Sequence, residues 1–221
     1  MWLSCPGMKL ARPDVFHPRI LLAGDGDGDG LVAALRRRGL HARRCSWDDP
    51  VTVSADLVIL QRIRGYADRR AELLAWTRRV RHLLNPPAAV AWNLGERHLD
   101  ELEAAGVSVL RGVPADAALI FLAGRQSHAF AGAGPIEPEF EVWEAGHAAL
   151  ASAAERAGVA AGELLYARVD VVGTRLVALD LVGPSLGWRC LGSGDREQAE
   201  RRFALAVESA CERLGLGPLS H

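Results

Sequence analysis

One arginine and two aspartates stand in two neighbouring apolar runs in the second half of the chain. Arg168 and Asp170 belong to the run LLYARVD (164–170), and Asp180 belongs to the run ALDLVGPS (178–185). The strands predicted over these runs, 164–172 and 175–182, are joined by the two-residue turn Gly173–Thr174. Such a turn predicts antiparallel pairing, which brings the three side chains to one end of a sheet. Carboxylates are ligands of Mg²⁺, and a guanidinium holds phosphate or carboxylate through two parallel hydrogen bonds. The pattern indicates either a weak magnesium site or a site for a small carboxylate ligand.

The same three residues are equally suited to a structural ion-pair network without catalysis. Under the functional interpretation Arg168, Asp170 and Asp180 are candidate catalytic residues, and Asp170 and Asp180 are the candidate metal ligands. His128 is a fourth candidate, as a polar residue of the same cleft. Ser127 precedes it, but adjacent strand residues point to opposite faces, which argues against a hydrogen-bonded Ser–His pair.

A glycine–aspartate loop, GDGDGDG at 24–30, invites two further interpretations. Three carboxylates and no basic residue oppose a phosphate loop, because they would repel an anion. The DxDxDG pattern is that of a calcium loop, but Arg36 occupies the place of the glutamate that completes such a loop. The loop is best interpreted as a strand-to-helix turn, with a weak cation site as the alternative.

Composition limits the class of protein. The chain has 221 residues, 49% hydrophobic and 24% charged, with a formal net charge of −1. These values are typical of a globular protein and give no general attraction to nucleic acid or to a membrane surface. No apolar run is long enough to cross a membrane, and the four cysteines lack metal-ligand spacing, so we expect a cytoplasmic protein with reduced thiols. Among 26 basic residues the only lysine is Lys9.

Apolar periodicity predicts an α/β protein. In the first half, strands and helices alternate as in parallel βαβ units: strands at 19–24, 40–46, 57–60 and 107–110, and helices at 31–38, 69–84 and 96–105. In the second half we expect strands at 118–123, 127–130, 164–172 and 175–182, and helices at 144–157 and about 195–214.

Several short motifs occur in an order that resembles one protein family. They are WDDP (47–50), LNPP (84–87), WNLGERHL (92–99) and LIFLAGRQSHA (119–129), followed by the YARVD and ALDLVGPS runs. Together they resemble the ATP-grasp carboxylate–amine ligases, in the branch of the cycloserine-forming ligase and the glutathione-synthetase-like enzymes. The resemblance extends over residues 19–190.

The resemblance implies a Rossmann-like pre-ATP-grasp lobe followed by a truncated ATP-grasp C-terminal lobe with antiparallel strands. We expect an N-terminal tail at 1–18, the first lobe at 19–110, a short linker at 111–118 and the second lobe at 119–221. The linker stands where the family has its central ATP-binding subdomain. The resemblance therefore implies that this chain lacks part of the family's nucleotide-binding site.

Departures from the family motifs concern ATP and magnesium. The lysine that the family uses on ATP phosphate corresponds to Glu96, which would repel it. Of the three family carboxylates at the metal site, the first corresponds to Ala178, the second to Asp180 and the third to Gly183. We therefore expect a degenerate ATP-grasp-like pseudoenzyme without cofactor. The alternative is an active enzyme with a repurposed cleft, either an ATP- and Mg-dependent carboxylate–amine ligase or a different chemistry that uses Arg168 and the nearby Asp170 and Asp180.

A protein that has lost a subdomain exposes apolar surface where that subdomain packed, and such surface becomes an interface or is rebuilt. The expected partners are a second copy of the chain, as a homodimer, or a pathway protein that binds around 111–118. A small carboxylate is the expected ligand, and neither nucleic acid nor a membrane is expected as a partner.

Overall fold

Two β-sheets of different type form the frame of the molecule. The computed structural model describes residues 17–25, 30–63, 65–66 and 68–217. The first sheet is parallel, in the order β2–β1–β3–β4. Its strands are β1 (Ile20–Ala23), β2 (Ala42–Cys45), β3 (Leu57–Leu60) and β4 (Leu83–Leu84). All residues of β1 and β3 are buried, as expected for a parallel sheet that is covered on both faces.

The second sheet is antiparallel, in the order β7–β6–β5–β8–β9. Its strands are β5 (Ala117–Leu122), β6 (Arg125–Ala131), β7 (Gly134–Ile136), β8 (Tyr166–Val172) and β9 (Arg175–Asp180). The helices are α1 (Leu31–Arg37), α2 (Arg70–Thr77), α3 (Pro87–Asn93), α4 (His98–Ala104), α5 (Phe140–Ala157) and α6 (Ser193–Arg213). This arrangement confirms the predicted α/β class with a parallel and an antiparallel part. No helix in the described part of the chain has the length and apolarity required to cross a membrane.

The helix predicted at 69–84 is wrong in its second half. Helix α2 ends at Thr77, and the chain then turns to form β4, whose two leucines are buried. Strand β4 pairs in parallel with β3, and the amide of Val58 donates to the carbonyl of His82 at 2.8 Å. Over such a short apolar run, the sequence pattern does not distinguish a helix from a strand that is buried on both faces. The sheet takes the leucines because β3 otherwise has an open edge.

The segment between the two lobes also differs from the prediction. Helix α3 was not anticipated, and the strand expected at 107–110 is a single parallel bridge between Val109 and Leu176 of β9. The amide of Leu110 donates to the carbonyl of Leu176 at 2.7 Å, so this segment covers the edge of the antiparallel sheet. Ala89 of α3 and Leu102 of α4 are fully buried in the apolar cluster between that sheet and α5.

Helix α6 joins the lobes. It packs against α1 and against β5 and β6, and its Phe203, Ala204 and Val207 are fully buried in one cluster with the parallel sheet. Tyr166 of β8 belongs to the same cluster, and its hydroxyl donates to the carbonyl of Leu60 at 2.9 Å. The carboxyl ends of β1 and β3 are thereby held against the antiparallel sheet.

The turn between β5 and β6 contains the one described residue other than glycine with a positive φ, Ala123 at 49°. We expect Ala123→Gly to raise the free energy of unfolding by about 0.5 kcal/mol. Glycine relieves the strain of the left-handed alanine, which is about 1–2 kcal/mol. The larger conformational entropy of glycine in the unfolded chain offsets about 0.4–1 kcal/mol of this gain. Denaturant titration measures the change. The control is Ala133→Gly in the β6–β7 turn, where φ is not positive and stability should fall; a loss of stability in both variants would contradict the assignment.

Candidate functional site

Arg168 and Asp170 form an ion pair on β8. They are two residues apart, so they share a face of the strand, and the Nε of Arg168 donates to Oδ1 of Asp170 at 2.8 Å. The Arg168 side chain is 27% exposed and that of Asp170 is 19% exposed. The Arg168 guanidinium carbon also lies 5.3 Å from the centre of the Phe130 ring. Asp170 is engaged through Nε of Arg168, and one terminal nitrogen of Arg168 lies 3.5 Å from the carbonyl of Ser185.

Asp180 lies directly opposite Arg168 in the β8–β9 pair. Burial raises the pKa of the Asp180 carboxyl, and the nearby charge of Asp170 adds to this effect. Three contacts act in the opposite direction without reversing it: the amide of Val182, which donates to Oδ1 at 2.8 Å, and the positive charges of Arg168 and His98. The structure thus brings together the three residues that the sequence singled out, with one guanidinium facing two carboxylates.

Two residues beside Asp180 were not among the predicted site residues. Burial raises the pKa of the half-buried Tyr66, and the charge of Asp180 contributes. His98 approaches Asp180 from α4, and its Nδ1 donates to the carbonyl of Gly95 at 2.7 Å. His98 lies in the WNLGERHL segment (92–99), and its resemblance to a family motif is the signal in the sequence that could have identified it.

We expect Asp180→Asn to stabilise the protein at neutral pH. A carboxyl whose pKa is raised by folding binds its proton more tightly in the folded state, so stability falls as pH rises above the ordinary pKa of 3.8 and stays lower once the folded carboxyl is ionised. Asparagine keeps the oxygen that accepts from Val182 and carries no charge. Thermal unfolding should show a higher Tm for the variant at pH 7 and no gain at about pH 3.

The exposed Asp195→Asn serves as the control for a general loss of negative charge. A lower Tm for Asp180→Asn at pH 7 would mean that attraction to Arg168 outweighs the burial of the Asp180 carboxyl.

His128 lies apart from the carboxylates. It shares their sheet face, because Ile120 pairs with both His128 and Arg168, but a whole strand stands between them. Its Nε2 lies 2.7 Å from the carbonyl of Leu186, so Nε2 donates and Nδ1 is left to accept. The Ser127 hydroxyl is 2.9 Å from Nδ1. The prediction that adjacent residues could not form this bond is wrong, because Nδ1 lies near the backbone, within reach of a neighbouring hydroxyl. Burial lowers the pKa of His128.

Position 183 has no room for a side chain. Gly183 has a φ of 73°, and a β-carbon there would lie 2.5 Å from the carbonyl oxygen of Gln61. Gly24 faces the same carbonyl, with a β-carbon position 2.7 Å away. The backbone that leaves β3 therefore passes tightly between two glycines, one from each lobe. The position that the motif resemblance assigns to the third family carboxylate is thus closed off by the backbone of Gln61.

The glycine–aspartate loop is only partly described, and its residues 26–29 lie outside the described ranges. At its end, the carboxylate of Glu200 from α6 packs directly against Gly30, where any side chain would collide with it. Glu200 is 7% exposed. A carboxylate of the protein's own thus occupies the space beside the start of α1, which further opposes an incoming phosphate.

Two buried asparagines hold the ends of β8 and β9. The Asn85 amide donates to the carbonyls of Tyr166 and Leu181 at 2.8 and 3.0 Å, and its oxygen accepts from the amide of Tyr166 at 3.3 Å. The Asn93 amide donates to the carbonyl of Leu179 at 2.8 Å, and its oxygen accepts from the amide of Leu181 at 2.7 Å. These are the asparagines of the LNPP and WN motifs. Their role is to fix the strands that carry Arg168 and Asp180.

The residues that follow Leu110 run to β5 as a short exposed loop. Arg111 pairs there with Asp100 and Glu103 of α4 at 2.7 and 2.8 Å. Val113 is the one large apolar side chain exposed in this loop. The extended apolar surface expected at 111–118 is therefore reduced to a single valine, and the interface predicted there stays a prediction.

Comparison with known proteins identifies the fold. Residues 5–85 match the family model described as D-cycloserine synthetase DcsG, N-terminal domain. Over 91 residues the chain is 35% identical to the cycloserine biosynthesis protein DcsG of Streptomyces lavendulae, a match that covers 39% of this chain and 30% of that protein. The chain thus matches less than a third of the length of this relative.

Two solved structures extend the likeness to most of the chain. The crystal structure of D-cycloserine synthetase DcsG superimposes with a TM-score of 0.74 at 21% identity, over 89% of this chain and 99% of that one. D-alanine–D-alanine ligase from Bacillus anthracis, complexed with ATP, gives a TM-score of 0.56 at 8% identity, over 90% and 98% of the two chains. The resemblance inferred from the motifs is confirmed for the fold: the chain as a whole has the fold of D-cycloserine synthetase and of D-alanine–D-alanine ligase, and its N-terminal part matches the DcsG model in sequence.

Proposed function

We propose that this protein is a ligase-related protein of a biosynthetic pathway that acts by binding a ligand or a partner, without carrying out ATP-dependent ligation itself. The observation that carries the proposal is the contact between Gly183 and Gln61. In the family this position supplies a metal-binding carboxylate, and here a side chain of any size is excluded by a backbone carbonyl.

The remaining donors do not fit a magnesium ion on ATP. Asp170 is engaged by Arg168, Asp180 is engaged by the amide of Val182, and the pKa of Asp180 is raised, which opposes the ionised form that a metal requires. No three acidic, histidine or cysteine side chains within the described ranges converge in a way that would hold a metal ion. Glu96, at the place of the phosphate-binding lysine, is 88% exposed and lies 3.6 Å from Arg70.

A small carboxylate is the ligand that this arrangement favours. Each terminal nitrogen of Arg168 carries two hydrogens, so each keeps a donor for a ligand while Nε donates to Asp170 and one terminal nitrogen donates to the carbonyl of Ser185. The guanidinium carbon lies 5.3 Å from the centre of the Phe130 ring. The carboxylate would accept from both terminal nitrogens of Arg168. For a partner we propose a second copy of the chain or a protein of the same pathway, and the proposal requires neither nucleic acid nor membrane.

Turnover of ATP tests the proposal. Purified protein is incubated with Mg-ATP, a panel of carboxylic acids and hydroxylamine, which traps an acyl phosphate. We expect ADP release no faster than in the protein-free control. ADP release that requires an acid and is abolished in Asp170→Asn, with the fold intact by circular dichroism, would refute the proposal and establish the ligase alternative.

The second candidate function is a different chemistry in the same cleft. The observation that favours it is the position of Asp180, whose raised pKa makes it a candidate general acid beside the carboxylate-binding Arg168. Under this alternative Asp180→Asn abolishes conversion of a bound carboxylate without preventing its binding. Arg168→Lys would weaken binding, because lysine cannot form the bidentate contact.

A further inference from the structure

A groove with three unpaired arginines runs along one side of α6, away from the Arg168 cleft. Its central cavity has a volume of about 600 Å³ and lies between α6 and the turn that joins β5 to β6. Arg125, Arg202 and Arg213 line it, and all three are exposed. The other residues that line it are uncharged.

None of these three arginines has a carboxylate partner within the described part of the chain. Arg202 donates to the carbonyl of Ser127 at 3.1 Å, and Arg213 donates to the carbonyl of Gly162 at 3.4 Å, each through one terminal nitrogen. In contrast, Arg38, Arg69 and Arg111 all pair with Asp or Glu. Backbone carbonyls thus hold two of the guanidinium groups over the groove and leave donors free for an anion.

The floor of the groove is apolar. Leu122 and Ala206 contribute to it, and Leu205 is 40% exposed, one of three large apolar side chains that are exposed in the described residues. Charged rims over an apolar floor suit a ligand that combines carboxylates with an apolar side chain. A free inorganic anion would leave this floor in water.

The groove is long enough for a peptide. Two further cavities, of about 420 and 560 Å³, continue it in both directions and share Arg202 and Arg213 with the central one. The α6 residues that line the three cavities extend from Asp195 to Arg213, which corresponds to roughly 27 Å of helix. An extended segment of about eight residues covers that distance.

Carboxylates mark both ends of the cationic stretch. Glu137 and Asp195 line the cavity at one end, and Glu163 lines the cavity at the other, together with His82 and with Arg81, which lies 3.6 Å from Asp56. A nucleic acid strand would carry its phosphates past these carboxylates, whereas a peptide can place its acidic residues at the centre only. The net charge of −1 likewise gives no general attraction to nucleic acid.

We propose that the groove formed by α6 and the β5–β6 turn docks an acidic, extended peptide segment of a partner protein, whose carboxylates pair with Arg125, Arg202 and Arg213 and whose apolar side chain packs on Leu205. The inference rests on the proposed function in one respect, that the protein acts by binding. The two are tested separately, because none of Arg168, Asp170 and Asp180 lines the groove, although His128 lines the cavity at one of its ends.

Fluorescence polarisation tests the proposal on the full chain. The probe is a labelled peptide of about eight residues that alternates glutamate with leucine, and the comparison peptide has lysine in place of glutamate. We expect saturable binding of the acidic peptide alone, weakened as salt rises. Arg202→Glu and Arg213→Glu should each weaken binding at least tenfold, and Leu205→Ser should weaken it severalfold.

Arg201→Glu is the matched control. Arg201 is also an exposed arginine of α6, but it lines a separate cavity beside α1, so the reversal should leave binding unchanged. Equal binding of both peptides, no loss on Arg202→Glu and Arg213→Glu, or no acidic-peptide binding at millimolar concentration would each overturn the proposal. Tripolyphosphate that displaces the peptide at equal concentration would assign the groove to a small anion and overturn the peptide proposal as well.

Discussion

Gly183→Ala is expected to lower the free energy of unfolding by about 3 kcal/mol. The left-handed backbone, with φ at 73°, costs an alanine about 1–2 kcal/mol, and the overlap with the carbonyl of Gln61 adds about 1–3 kcal/mol because a backbone atom cannot move aside. Denaturant titration, followed by circular dichroism, measures the loss. The side chain of glutamate, which the family motif would place here, meets the same obstacle, so Gly183→Glu should unfold the junction rather than create a metal site.

The matched control for this prediction is Gly173→Ala in the β8–β9 turn. Gly173 also has a positive φ, 55°, but a β-carbon there would meet nothing within 4 Å. Its replacement should cost only the backbone strain of about 1–2 kcal/mol. Equal losses at the two positions would mean that the backbone of Gln61 leaves room at position 183, and the argument against a third carboxylate would fail.

Asn85→Ala is expected to destabilise the protein by about 3 kcal/mol or more. The side chain is fully buried and makes three hydrogen bonds to the backbone of β8 and of the residues after β9. Its removal leaves those backbone groups without partners in a place that water does not reach, at about 1–3 kcal/mol for each buried group. Urea denaturation measures the effect.

Gln126→Ala, at an exposed amide on β6, is the control and should change stability by less than about 0.5 kcal/mol. A loss below about 1 kcal/mol for Asn85→Ala would show that the LNPP asparagine does not hold the two strands in place. In that case the positions of Arg168 and Asp180 would depend on strand pairing alone.

Most of the second lobe could be predicted from the sequence. The turn between two apolar runs fixed the pairing of β8 with β9, and this pairing alone brings Arg168 opposite Asp180. The first lobe was harder, because Leu83 and Leu84 fit a helix and a buried strand equally well. The choice depends on the open edge of β3, a partner 25 residues away that no local pattern reveals.

The constraints that define the site could not be derived locally. In the sequence, Gly183 looks like an ordinary turn residue. That a side chain is excluded there becomes evident only from the position of the Gln61 backbone, which belongs to the other lobe. The sequence shows Asn85 and Asn93 as parts of motifs. It does not show what they bind, because the carbonyls that accept from them are more than 80 residues away along the chain. His128 shows the converse error, since a rule about strand faces excluded a hydrogen bond that the imidazole makes.

Thermal unfolding with and without millimolar Mg-ATP tests the central claim most directly. A nucleotide present at about 100 times its Kd would stabilise the protein by about 2.7 kcal/mol, a shift of several degrees in Tm for a chain of this size. The account predicts no shift, because position 183 holds no carboxylate and Glu96 stands in the place of the phosphate-binding lysine. A shift of several degrees that disappears in Asp170→Asn would contradict the account and show that the cleft still binds Mg-ATP.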